Sequence, residues 1–191
     1  MNIHQELALY LYKNIQINEE DLDQILSCFQ NIKVRKNEIL LEEGKVSQCN
    51  YFVKKGCLRI FYINPEGKER TRYIAFENQF ATALVSFITK EPAQETIQAV
   101  EDSELLMISH QDFRKLMEVV PAWKDFYNLY LEKAYVNNSK RLLSFSTLDA
   151  GERYQQLFQI NPDIVKRLPN KIVASYINIS QETLSRIKSK I

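Results

Sequence analysis

Six apolar residues near the end of the chain, Val173, Ala174, Ile177, Ile179, Leu184 and Ile187, stand at intervals that fit two short helices crossing over a small shared core. A unit of this kind has strict internal geometry. Every inward position must be apolar, the position of closest approach must be small, and the second helix must stay exposed. Ala174 is the small residue at the expected crossing. Asn178 stands at the turn, where a left-handed backbone is required and Asn tolerates it, and Ser180 is a natural N-cap for the second helix. The spacing therefore predicts a helix-turn-helix over residues 167–191, with the second helix running from Ser180 to Lys190.

Charge points the same way. The whole chain carries a formal +1 over 191 residues, yet residues 166–191 hold Lys166, Arg167, Lys171, Arg186, Lys188 and Lys190 against a single acid, Glu182, for a local +5. Positive charge gathered at one end is the electrostatic footprint of a polyanion binder. The outer face of the second helix bears Gln181, Glu182, Ser185 and Arg186, whose groups match base edges. Gln pairs with adenine, Arg with guanine, and Glu accepts from the cytosine amino group, each discriminating by about 1–3 kcal/mol. Lys171, Ser180, Thr183, Lys188 and Lys190 are the expected phosphate contacts, which fix register without reading sequence. A plain helical hairpin with a solvated basic face is the bland reading of the same charges, and the match of the outer face to base chemistry separates the two.

Upstream, residues 2–31 predict two helices, from Leu7, Leu9 and Leu11 and then Leu22, Ile25, Leu26 and Phe29; Asn18 followed by Glu19, Glu20 and Asp21 suits a helix start. From Ile32 to Ile108 the texture changes to short β-branched and aromatic runs broken by turns at Gly44, Gly56 and Gly67, the pattern of a double-sheet roll. After Ser109 the period is helical again. A short helix over 111–120 is closed by Pro121, and a long one over 122–146 contains neither Gly nor Pro. Its stripe includes Phe126, Tyr127, Tyr130, Ala134 and Asn138. One face is expected to pack on the sheet domain, while the aromatic face needs another partner, most simply a second copy of the same helix; burial of the whole stripe within one chain is the alternative. Asp149 to Glu152 then breaks the pattern and starts a new helix, which places a domain boundary near Thr147.

Several function classes are excluded on composition. Cys28, Cys49 and Cys57 form no Cys-x-x-Cys pair, and His4 and His110 are the only histidines, so no metal, iron–sulfur or haem site is expected. A cupin-like metal enzyme would need His ligands in the sheet segment, which has none. No Ser-His-Asp, Cys-His or phosphate-loop arrangement is visible, and the chain is read as not an enzyme. The apolar stretches fall short of the ~18 residues of a membrane span, and the first residues lack a secretory layout. The expectation is a cytoplasmic protein with no membrane partner.

Ile39 to Gly44, Tyr51 to Gly56 and Val100 to Ile108, together with Gly151 to Tyr154, Leu168-Pro169 and Ile177 to Arg186, resemble in order the Crp/Fnr transcription factors, and the resemblance covers nearly the whole chain. It implies an α+β fold: an N-terminal double-stranded β-helix, the jelly-roll-like β-roll of a cyclic-nucleotide-binding-like sensor (1–120), a long dimerisation helix (121–147) and an all-helical helix-turn-helix DNA-binding domain (148–191). The sequence ends soon after the second helix, so the family's β-wing is expected to be absent or vestigial. In the family a Gly-Glu pair grips the ribose of a cyclic nucleotide and an Arg-Ser pair its phosphate. By position those places hold Ala81-Thr82 and Ala93-Gln94. Neither Ala nor Gln replaces the charge-assisted bonds of an Arg on phosphate, so cAMP binding is not expected and no cofactor is assigned. An effector pocket, if one is open, would be lined by Tyr73, Phe80, Thr82, Gln94 and Thr96; side chains filling it is the other option. Arg70 and Arg72 either favour an anion or form a solvated strand edge. The implied function is homodimeric, sequence-specific regulation of transcription, with double-stranded DNA, a second copy and RNA polymerase as partners. The alternative is a ligand-sensing module whose helical tail contacts another protein.

Overall fold

The computed structural model describes residues 4–190. Its elements in chain order are α1 (Gln5–Asn14), α2 (Glu19–Ser27), β1 (Gln30–Val34), β2 (Ile39–Leu41), β3 (Cys49–Lys55), β4 (Leu58–Ile63), β5 (Glu69–Ala75), β6 (Phe80–Ala81), α3 (Leu84–Thr89), β7 (Thr96–Ala99), β8 (Ser103–Ser109), α4 (His110–Val119), α5 (Pro121–Thr147), α6 (Ala150–Ile160), α7 (Pro162–Arg167), α8 (Asn170–Tyr176) and α9 (Gln181–Lys188). They fall into two compact units. The first runs through Ile60 and includes Ile74–Glu132; the second is Phe61–Tyr73 with Lys133 onward.

The strands form two four-stranded sheets, in the orders β1-β8-β3-β6 and β2-β7-β4-β5. β8 pairs antiparallel with β1 (Ile32 opposite Leu105) and with β3 (Phe52 opposite Leu106), and β2 with β7 likewise. This is the jelly-roll-like α+β architecture expected. Gly56, at φ +103°, makes the turn between β3 and β4: a Cβ there would sit 2.8 Å from the Ser103 Cα, so only glycine allows the two backbones to approach.

Aromatic side chains dominate the core of the first unit. Trp123, fully buried, packs on Phe29, Phe113 and Phe126 with ring centroids 5.1–6.1 Å apart, and Phe80 packs on Phe52 (5.0 Å), Phe126 (5.5 Å) and Tyr130 (6.0 Å). Burial of each such side chain contributes about 1.5–3 kcal/mol, with tilted and edge-on ring pairs adding to it. Leu7 and Leu11 of α1 and Leu22, Ile25 and Leu26 of α2 close the cluster. The Asn18 side chain accepts the Asp21 N–H at 2.8 Å and so starts α2 as predicted.

One element differs from expectation. Residues 84–89, inside the stretch read as sheet, form the helix α3. Ala83, Ser86 and Phe87 point inward at helical spacing while Val85 and Ile88 point outward, and Lys90 ends the turn in the left-handed region at φ 64°. Six residues are too few for that period to stand out against a β-branched background.

In the second unit a capping box starts α6: Glu152 N–H donates to Asp149 at 2.9 Å and Asp149 N–H to Glu152 at 2.8 Å. Pro162 opens α7 at the position where its missing N–H costs nothing. Tyr154, Leu157, Ile164, Leu168, Ile172 and Val173 form the helical core. No helix among the described residues is long and apolar enough to cross a membrane.

Candidate nucleic-acid interface

The helix-turn-helix is built as its spacing predicts. Val173, Ala174, Ile177 and Leu184 are buried, with Ile179 and Ile187 half-buried at the rim. Asn178 takes the left-handed conformation at φ 57°, and the Ser180 hydroxyl accepts the Thr183 N–H at 3.1 Å, capping α9. With the inner face of α9 committed, Gln181, Glu182, Ser185 and Arg186 are left exposed together. Hydrogen bonds from Ser180 and from its own backbone N–H hold the Glu182 pKa below its ordinary value, with the cations Lys68 and Arg186 adding to the effect.

Most of the residues expected at phosphates already have partners within the chain. Lys171 donates to Glu69 at 2.9 Å, Lys188 to the Asn170 side chain at 2.7 Å, and the Thr183 hydroxyl accepts from both Ser180 (3.1 Å) and Arg186 (3.2 Å). Lys190 has no side-chain partner among the described residues.

Two arginines absent from the sequence-based list hold the motif from behind. Arg141 of α5 donates to the backbone carbonyls of Thr71 and Tyr176, both at 2.8 Å, and its guanidinium lies 4.7 Å from the Tyr176 ring and 4.9 Å from that of Phe145. Burial draws its pKa below the ordinary guanidinium value. Arg153 donates to the next carbonyl, Ile177, at 3.1 Å and to Leu148 at 2.6 Å. Successive carbonyls at the end of α8, which no helical N–H reaches, are thus satisfied by charged donors. Their contacts to the end of α8 span 35 and 24 residues, beyond the reach of a spacing rule.

Along α5, Phe126 is 4% exposed and covered by its own chain, Tyr127, Tyr130 and Ala134 are half-buried, and Asn138 is exposed. The large apolar residues that face solvent are Tyr135, Val136, Leu142 and Leu143. They repeat at seven residues and, at about 100° per residue, stand at a different phase of the helix from Phe126 and Tyr130.

The residues proposed for an effector pocket are placed as follows. Tyr73 is half-buried on β5, in the second unit. Phe80 is buried at the centre of the aromatic cluster. The Thr82 hydroxyl donates to Cys49 O at 2.9 Å and lies 3.2 Å from the Ser47 hydroxyl; Thr96 accepts from Glu43 N–H at 3.3 Å; Gln94 is exposed. A groove of about 310 Å³ lies elsewhere, lined by Lys33, Arg35, Lys55, Asp102 and Ser103 among others.

Residues 31–119 match the cyclic nucleotide-binding domain family. The chain is 28% identical over 102 residues to the cyclic AMP receptor protein of Thermus thermophilus, a match covering 53% of this chain and 47% of that protein, so it spans about half that relative's length. It is 22% identical over 176 residues to the cAMP-activated global transcriptional regulator CRP of Pasteurella multocida, covering 87% and 84% of the two chains. Among solved structures, the c-di-GMP-responsive global regulator CLP of Xanthomonas campestris superposes with a TM-score of 0.73 at 15% identity over 91% of each chain. Residues 31–119 are thus similar to a cyclic nucleotide-binding domain, and the chain that carries them has the fold of the Crp/Fnr regulators.

Proposed function

We propose that the protein is a homodimeric, sequence-specific DNA-binding transcription regulator of the Crp/Fnr type and not an enzyme, with 148–191 as its DNA-binding part and 121–147 as its dimerisation helix. The observation that carries the reading is the joint exposure of Gln181, Glu182, Ser185 and Arg186 on α9 above a buried apolar ladder. Two copies paired along the exposed stripe of α5 would present two reader helices to successive major grooves, about 34–36 Å apart. The Pasteurella and Xanthomonas proteins, both global regulators, support the same class. Cyclic AMP is not assigned as effector, since Ala81, Thr82, Ala93 and Gln94 offer no charge to a ribose phosphate.

Base reading and phosphate contact give different signatures. Arg186→Ala is expected to cost about 1–3 kcal/mol on the preferred duplex and to relax selectivity at one base pair per half-site. Lys190→Ala should weaken all duplexes alike and lower the slope of log affinity against log salt by about one per protomer. Titration of both variants on the preferred duplex and on single-base substitutions of it checks this. Equal behaviour of the two variants would overturn the assignment of roles.

A further inference from the structure

The outer part of the β4–β5 hairpin, Phe61–Tyr73, belongs to the same compact unit as α8 and α9 and is fastened to α8 at two levels. The Thr71 N–H donates to the Ser175 hydroxyl at 3.2 Å and the two side-chain hydroxyls hydrogen-bond to each other, while Glu69 accepts from Lys171 at 2.9 Å. Glu69 and Thr71 are two apart on a strand and share a face; Lys171 and Ser175 are four apart on a helix and share a face. The strand therefore runs alongside the helix, and the step from Thr71 to Glu69 follows the step from Ser175 back to Lys171. Continued in the same direction, Lys68 and the turn before it extend past Lys171, beside the residues assigned to DNA. The influence of Lys68 on the Glu182 carboxyl is consistent with that placement.

The turn is preset. Pro65 fixes one dihedral, Gly67 supplies a left-handed φ of 73°, and Asn64 and Lys68 are joined by Asn64 N–H to Lys68 O at 3.0 Å and Lys68 N–H to the Asn64 side chain at 2.8 Å. Its charges are sorted as well. The Glu66 carboxylate accepts from the Asn64 amide and Glu69 is engaged by Lys171, whereas Lys68 is exposed and its ammonium has no hydrogen bond or ion pair among the described residues. With Lys171 engaged by Glu69, the cation offered to a passing backbone at this point is Lys68.

We propose that the tip of the β4–β5 hairpin is a second DNA-backbone contact, in which the Lys68 ammonium binds a phosphate flanking the bases read by α9. Glu69 acts as a positioning residue, tying the hairpin to α8 through Lys171. The assignment rests on the reading of α9 as the recognition helix.

The test uses the full chain and its preferred duplex, titrated between 50 and 200 mM salt. Lys68→Ala is expected to weaken binding about three- to tenfold per protomer and to lower the salt slope by about one per protomer, with base preference unchanged; Lys68→Arg should restore both. Lys68 is exposed, so neither variant threatens the fold. If Arg186→Ala alters base preference while Lys68→Ala binds with wild-type affinity and slope, the hairpin contact is wrong and the reading of α9 stands. A rise in affinity on Lys68→Ala overturns it too, showing that the hairpin obstructs DNA. A wild-type chain with no base preference overturns both.

Discussion

Replacing Leu142 and Leu143 together by Glu is expected to turn the proposed dimer into a monomer and to abolish tight binding to a two-half-site duplex. Both side chains face solvent within the chain, at 59% and 62% exposure, and Tyr135 (75%) and Val136 lie one heptad before them on the same stripe. Four large apolar groups in a row on an exposed helix face would form the seam of the proposed helix pair, since leaving them in water forgoes about 1.5–3 kcal/mol for each one that could be covered. Four carboxylates brought to one seam would be desolvated and would repel one another. Because the residues touch solvent in the single chain, the substitutions should leave the circular dichroism spectrum unchanged. Loss of the second half-site forfeits the effective concentration it provides, so affinity should fall about 10²–10⁴-fold. Sedimentation equilibrium and duplex titration measure the two effects. A double variant that stays dimeric would place the interface elsewhere.

Arg141→Met should destabilise the second unit by about 2–4 kcal/mol and weaken DNA binding in proportion to the unit that unfolds. Two carbonyls, Thr71 and Tyr176, lose bonds from a charged donor worth about 1.5–3 kcal/mol each, offset in part because Met spares the cost of burying a guanidinium, while the stacking on Phe145 and Tyr176 is only partly kept. For a unit of this size the corresponding fall in Tm is about 8–30 °C. Arg141→Lys should recover little, because an ammonium lacks the planar fork that meets both carbonyls while lying against two rings. Scanning calorimetry of the three proteins is the check, and a Tm within about 4 °C of wild type, a threshold of about 1 kcal/mol, would contradict the role given to this side chain.

How far the sequence could be read depended on whether the controlling interaction was local. Asn18, Asp149 with Glu152, Asn178 and Ser180 act on backbone groups within three residues of themselves, and each cap or turn stands where its chemistry placed it. The inward ladder of α8 and α9 was legible for the same reason, as helical period and burial coincide over a short span. α5 was harder, because it carries apolar residues on more than one face. Periodicity cannot say which face its own chain covers, and the structure assigns Phe126 to the core while leaving Leu142 and Leu143 exposed. The partners of Lys171 and Lys188 were equally out of reach, although both lysines fitted a phosphate-binding pattern. The pairing of Thr71 with Ser175 joins positions 104 residues apart, and no spacing rule brings them together.

In the proposed function α9 reads DNA sequence as half of a symmetric pair. Selection from a randomised double-stranded library by the purified full chain at low salt tests it most directly. The expected result is enrichment of a pseudo-palindrome whose half-site centres lie about one helical turn apart, 10–10.5 base pairs. Recovery of no enriched sequence from a protein that is dimeric and folded would contradict it.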